Sequence, residues 1–154
     1  MKENIFTRNP GGKIAALLVC AAVYGITYII CEEFLFNVYV FEWMAFNNYV
    51  YTWIFPLLMI ILDKTPAAYF ASVGNLIGMF VGQYLGDFIQ LQRMKQITPG
   101  LEETNPGLYW SLNTHYGVFI WGITFLICIG IGIAVTVIMN VKRKRRGLNE
   151  LSTA

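Results

Sequence analysis

The chain has 154 residues, of which 56% are hydrophobic and 13% are charged, and its formal net charge at pH 7 is +2. This composition lies well outside the usual balance of a soluble domain. The apolar residues fall in long runs, which leave too little sequence for a separate soluble domain of ordinary size. We therefore expect a single all-α integral membrane domain covering residues 1–154.

Four segments are apolar enough, and long enough or nearly so, to cross a bilayer. A hydrocarbon core needs about 20 residues of helix, and the predicted spans are residues 14–30, 44–62, 67–91 and 116–139. The second span is the weakest, because Asn47 and Asn48 interrupt its start and Pro56 must kink or locally open its helix. The sequence predicts a four-transmembrane-helix bundle.

The segment after the first span is aromatic. Cys31, Glu32 and Glu33 follow that span without a small-residue cleavage site, which favours a retained helix over a signal peptide. Residues 32–43 then carry five aromatic side chains, a composition typical of a segment in the headgroup region. We expect an interfacial segment between the first two helices.

The distribution of Lys and Arg predicts the topology. Basic residues lie before the first span, at Lys64 between the second and third spans, and after the fourth span. The third connection has Arg93 and Lys95, and the first connection has none. By the positive-inside rule both termini are cytoplasmic, which agrees with four crossings of the cell (plasma) membrane.

The third span carries a glycine at every fourth position, and the fourth span has a small-residue face of its own. Positions four apart share one face of a helix, so the glycines form a groove suited to close helix packing. Packing within the chain and a homo-oligomer through the groove both remain open. The predicted packing residues are Gly74, Gly78, Gly82 and Gly86 in the third span, and Gly122 and Gly130, on one face with Leu126 and Ala134, in the fourth.

A polar stripe runs beside these glycines. Asn75, Gln83 and Asp87 lie one position further round the same helix, interrupted by Met79. Polar side chains within a bilayer are costly and normally face protein or a water-filled cavity. With Glu32, Glu33 and His115, which we place at the same outer level, they could line a path that favours cations or a polar solute. Ordinary interfacial roles for these acids and the histidine are the alternative.

The sequence offers no site for covalent chemistry. It lacks the common nucleophile, phosphate-binding and metalloprotease motifs, and His115 is its one histidine. Cys20, Cys31 and Cys128 are isolated, without metal-ligand spacing. We expect no catalytic residue, no metal and no cofactor; a thiol dyad of Cys31 and His115 is a remote alternative.

Five basic residues begin the C-terminal tail, residues 142–154. They predict an anchor on anionic lipid headgroups, worth about 1 kcal/mol per residue. Binding to nucleic acid is not expected, because nothing soluble accompanies the patch. The five residues are Lys142, Arg143, Lys144, Arg145 and Arg146.

Two functions fit these features. The first is a small transporter or channel for a cation or polar solute that acts as an oligomer, with the polar stripe along its path. The second is a non-catalytic accessory or assembly subunit that docks another membrane protein through the glycines of the third span. Neither hypothesis implies an enzyme.

Overall fold

The structure is a computed structural model, and it describes the backbone of residues 10–152 and the side chains of residues 11–47, 51–142 and 145. This part of the chain is all-helical and has no strand, as the sequence predicted. The helices are α1 (Pro10–Ile29), which continues into a π-helical turn (Ile30–Phe34), α2 (Tyr39–Trp43), which continues into a second π-helical turn (Met44–Asn48), α3 (Tyr49–Thr52), α4 (Ile54–Ile61), α5 (Thr65–Met94), α6 (Leu101–Thr104), α7 (Pro106–Asn113) and α8 (Gly117–Ser152).

Two helical stretches of the described residues are long and apolar enough to cross a membrane. They are Gly11–Phe34, with 24 residues, and Gly117–Lys142, with 26. Only 28% and 22% of their most apolar windows are buried inside the structure, so most of these side chains face outward. A core helix of a soluble protein would be mostly buried. By length and composition, the two stretches favour a membrane location.

The predicted second span, residues 44–62, is not one continuous helix. It consists of a π-helical turn followed by α3 and α4, which are separated at Trp53. Pro56 has no N–H and therefore cannot donate to the carbonyl of Thr52, four residues earlier. The hydroxyl of Tyr24, in α1, donates to this carbonyl instead, at 2.8 Å. A side chain from another helix thus supplies the donor that the proline lacks.

The long helices α5 and α8 pack against each other in antiparallel directions. The four stripe glycines of α5 all face α8 or the residues just before it: Gly74 lies against Cys128, and Gly86 lies against His115 and Gly117. Near the other end of the pair, a Cβ on Gly132 would lie only 2.8 Å from the Cα of Ala67. The small residues therefore allow the two backbones to approach closely.

The face of α8 that meets α5 is not the one that carries Gly122 and Gly130. Added Cβ atoms at Gly122 and Gly130 would find nothing within 4 Å, and the same holds for Gly25 in α1. α8 instead presents Trp121 and Cys128 to α5, and the indole of Trp121 covers Gly78. Gly122 and Gly130 therefore do not pack against α5 within the described residues, because Trp121 occupies that position, and packing between chains stays a prediction.

Polar contacts between separate segments of the chain lie toward the two ends of α5. At one end the ammonium of Lys13 forms an ion pair with Asp63, in the turn between α4 and α5, at 2.9 Å. At the other end, the first turn of α2 contacts Gln83 in α5. Between them lies an apolar core that includes Cys31, Met79 and several buried aromatic and aliphatic side chains.

Candidate functional site

Gln83 and Asp87 form one polar unit on the surface of α5. They are four residues apart, so their side chains lie on the same face of the helix. The amide nitrogen of Gln83 lies 2.9 Å from each carboxylate oxygen of Asp87. The amide therefore donates to the carboxylate and orients it.

The other end of the Gln83 amide caps α2. Its Oε1 accepts the backbone N–H of Val40 at 2.8 Å. Val40 lies in the first turn of α2, where backbone N–H groups have no partner within the helix. Because an oxygen must face the N–H of Val40 and a donor must face Asp87, these contacts fix the orientation of the Gln83 amide. Gln83 is 7% exposed, so this bond between elements is buried.

His115 brings the segment before α8 to the same carboxylate. Its Nε2 lies 3.1 Å from Oδ1 of Asp87, and its Nδ1 accepts the backbone N–H of Gly117 at 3.0 Å. An imidazole nitrogen that accepts cannot also carry a proton, so Nε2 carries it and donates to Asp87. His115 thus links the first turn of α8 to α5 in its neutral form.

Two glycines leave room for the imidazole. A Cβ added to Gly86 or to Gly117 would collide with Cε1 of His115, and the ring of Tyr39 lies 4.4 Å from the imidazole, centroid to centroid. The side chain of His115 is 6% exposed, whereas that of Asp87 is 47% exposed. Gln83, Asp87 and His115, hereafter the polar cluster, therefore join one accessible carboxylate to a buried imidazole and a buried amide.

Sequence reasoning missed the residues that hold His115 in place. Gln90 donates to the backbone carbonyl of Asn113 at 2.7 Å. The guanidinium of Arg93 donates to the Tyr116 hydroxyl at 2.7 Å and to the carbonyl of Ser111 at 2.7 Å. The signal that could have revealed this second set is the i, i+3 spacing of Asp87 with Gln90 and of Gln90 with Arg93 along α5, which makes each pair neighbours on the helix surface.

Asn75 does not join the polar cluster. It is fully buried, and its Oδ1 accepts the indole N–H of Trp121 at 3.0 Å, while its Nδ2 has no hydrogen-bond partner among the described residues. Between Asn75 and Gln83, the face of α5 is closed by Met79, whose sulfur lies 3.9 Å from that of Cys31. Met79 and Cys31 are both fully buried. The predicted polar stripe is therefore two separate polar positions.

The other predicted residues stay apart from the cluster. Glu32 is half-buried and Glu33 exposed, and within the described part of the chain no hydrogen bond or ion pair links either to the cluster. Both nitrogens of His115 are engaged by Asp87 and Gly117, and the thiol of Cys31 faces Met79, so these two residues do not form a dyad.

The basic tail continues the last helix. α8 extends to Ser152 and so includes the five basic residues. The side chains of Lys142 and Arg145 are exposed, and those of Arg143, Lys144 and Arg146 lie outside the described residues. An exposed basic end on an apolar helix is compatible with contact to anionic headgroups.

Comparison of the chain with protein-family models, curated proteins and solved structures finds no match. The function must therefore be inferred from the geometry. Its most distinctive feature is the polar cluster, because it joins an accessible carboxylate and an oriented amide of α5 to an imidazole from the segment before α8 and to the first turn of α2.

Proposed function

We propose that the protein crosses the plasma membrane four times, with both termini in the cytoplasm. The ion pair of Lys13 with Asp63 supports this topology, because it joins two segments that the proposal assigns to the cytoplasmic side. The bonds of Gln83 to Val40 and of Asp87 to His115 likewise join the two connections assigned to the outside. α5, with 30 residues, is about 45 Å long and can span the bilayer.

Cysteine labelling tests this topology. In a variant without the native cysteines, Glu102→Cys should react with a membrane-impermeant maleimide on intact cells. Lys142→Cys should react only after permeabilisation, because it follows the proposed fourth span, residues 116–139, on the side of the membrane opposite Glu102. Labelling of both positions from the same side would refute the proposed topology.

For the activity, we propose transport of a cation or a small polar solute by an oligomer of this chain. The polar cluster is the observation that carries this proposal. A carboxylate that is 47% exposed can meet a solute, while the buried amide and imidazole hold the carboxylate in one position. Carboxylates within or at the edge of membrane helices commonly mark ion and proton pathways.

The apolar contact between Met79 and Cys31 limits the routes by which a solute could cross. Met79 packs on Cys31 between the two polar positions, so the described residues show no continuous polar path along this face of α5. A solute bound at Asp87 would cross either after a conformational change or between copies of the chain. An oligomeric transporter is compatible with both routes.

Flux in proteoliposomes tests the transport proposal. Asp87→Asn removes the charge and Gln83→Leu removes the amide that orients it, so both should reduce flux of the transported species. Glu102→Gln is the matched control, since Glu102 is an exposed acid in α6 that lies outside the cluster. Unchanged flux of every ion and small solute tested, in both cluster variants, would refute the proposal.

A second candidate function is that of an accessory subunit bound to another membrane protein. The observation in its favour is the outer face of α8, where Gly122 and Gly130 are open and Leu126 is 63% exposed. Beside this face lies a groove of about 410 Å³, lined in part by Phe55 and Phe119. Because α8 already covers the glycines of α5, this open face of α8 is a surface that remains available to a partner helix.

Purification in mild detergent separates the two candidates. A monodisperse homo-oligomer without a co-purifying partner would count against the accessory role. Gly122→Leu would block close approach at the open face without touching α5, so it should abolish a partner complex that uses this face. A complex that survives this substitution would exclude docking at Gly122.

A further inference from the structure

The protonation state of His115 follows from its two hydrogen bonds. Nδ1 accepts the N–H of Gly117 at 3.0 Å, and Nε2 faces Asp87 at 3.1 Å, so the resting ring is neutral with its proton on Nε2. Asp87 accepts from Gln83 through both of its oxygens. Nδ1 is therefore the ring position at which His115 can take up a second proton.

We infer that the polar cluster binds a proton at Nδ1 of His115 and that this proton releases the first turn of α8. The inference rests on the proposed function, because it names the proton as the cation that the cluster takes. The proton adds to the Nδ1 lone pair and no covalent bond breaks. The hydrogen bond from Gly117 is lost, since Nδ1 then carries a hydrogen that points at another hydrogen.

The packing around the imidazole couples protonation to movement of the backbone. The ring is confined by Gly86 and Gly117, and Tyr39 lies against it. A 6% exposed ring in such a slot has little room to turn away from Gly117. The helix N-terminus also carries a partial positive charge, which disfavours an adjacent imidazolium. When the first turn of α8 moves away from the ring, the two hydrogens no longer face each other and the partial positive charge of the helix N-terminus lies farther from the imidazolium.

The titratable and charged groups near His115 come from α5 and α2. Asp87, from α5, provides a carboxylate that can form a charge-assisted hydrogen bond with the imidazolium. Tyr39, from α2, is a second titratable side chain in contact with the ring. The first turn of α8 has no acidic residue, and the guanidinium of Arg93 is bonded to Tyr116 and Ser111. Proton uptake thus exchanges a helix-terminal hydrogen bond for an ion pair.

Nuclear magnetic resonance on the full chain in nanodiscs tests this inference directly. His115 is the one histidine in the sequence, so ¹⁵N-labelled histidine reports on a single imidazole. At neutral pH we expect the tautomer protonated on Nε2. On acidification, protonation of Nδ1 should coincide with a drop of about tenfold in the protection of the Gly117 amide, measured against its intrinsic exchange rate at the same pH, as expected for loss of one hydrogen bond.

Two variants make the test specific. Asp87→Asn removes the charge that stabilises the imidazolium and should move the transition to lower pH. Glu102→Gln should leave the transition in place. A resting proton on Nδ1, protonation of Asp87 while the ring stays neutral, or Gly117 exchange that does not follow the ring would each overturn the inference.

These measurements are independent of transport. A coupled transition at His115 and Gly117 in a protein without measurable flux would support proton binding and count against the transport proposal. Flux that depends on Asp87, together with an uncoupled or absent transition, would support transport and refute the inferred proton site.

Discussion

The contact of Gly82 in α5 with α8 leads to a quantitative prediction about stability. A Cβ at Gly82 would overlap the carbonyl oxygen of Gly117 and lie 3.1 Å from the backbone nitrogen of Trp121. These are backbone atoms, so relief requires the two helices to separate. Gly82→Ala should therefore incur an overpacking cost of about 1–3 kcal/mol.

Gly122→Ala is the matched control. It is the same substitution in a membrane-type helix, but its Cβ would find no atom within 4 Å. Both variants gain the higher helix propensity of alanine, about 1 kcal/mol in water. The difference between them therefore isolates the contact, and Gly82→Ala should be the less stable of the two by about 1–3 kcal/mol.

Reversible unfolding in mixed micelles, followed by tryptophan fluorescence, measures this difference. Trp121 lies at the contact, so its emission should change when α5 and α8 separate. Equal stability of the two alanine variants would refute the close approach of the helices at Gly82. An unfolding midpoint that falls only in Gly82→Ala would support it.

Three further predictions concern single hydrogen bonds and one ion pair. Tyr24→Phe removes the donor to the carbonyl of Thr52 in α3 and should lower the free energy of unfolding by about 1 kcal/mol. The same substitution at the exposed Tyr84 should leave the free energy of unfolding unchanged. Equal effects of the two substitutions would contradict the bond from Tyr24 to Thr52. Gln83→Leu should speed hydrogen exchange at the Val40 amide, and unchanged exchange would exclude the cap on α2. Lys13→Met should lower the free energy of unfolding by at most about 1 kcal/mol, and by less in high salt, because the ion pair of Lys13 with Asp63 is partly exposed. A larger loss in unfolding experiments would contradict the weak contribution expected of this ion pair.

The local features of the site could be predicted from the sequence because they depend on helical periodicity alone. Gln83 and Asp87 share a face of α5 by their spacing, and their side chains do meet. The approach of His115 could not be derived in this way. It is 28 residues from Asp87 and reaches it through a connection whose course depends on Gln90 and Arg93.

The rotation of a helix about its axis is equally hard to predict. The small residues of α8 share a face that could have met α5, and sequence spacing alone gives no reason to reject it. The choice follows from Trp121, whose indole packs over Gly78 and donates to Asn75. The packing of Trp121 on Gly78 and its hydrogen bond to the buried Asn75 stabilise this rotation of α8 more than close packing of its small-residue face would.

The helix break before Pro56 could be predicted from the sequence only in part. The sequence indicates that the proline must disturb its helix, but it does not identify the donor that replaces the missing N–H. That donor is the hydroxyl of Tyr24, in a different helix, and the bond closes a gap of 28 residues along the chain. Contacts of this kind depend on the assembled helices rather than on any local pattern.

The two polar positions of α5 have different physical roles although they lie on nearly the same face. Asn75 is fully buried and bonded to Trp121, so its main effect is on the packing of α5 against α8. Asp87 is accessible and is held by two buried partners, so a change of its charge alters what the surface can bind while the fold retains its core. Met79 and Cys31 separate the two positions with fully buried apolar and sulfur groups. Substitution of Asn75 should therefore act through stability, and substitution of Asp87 through binding.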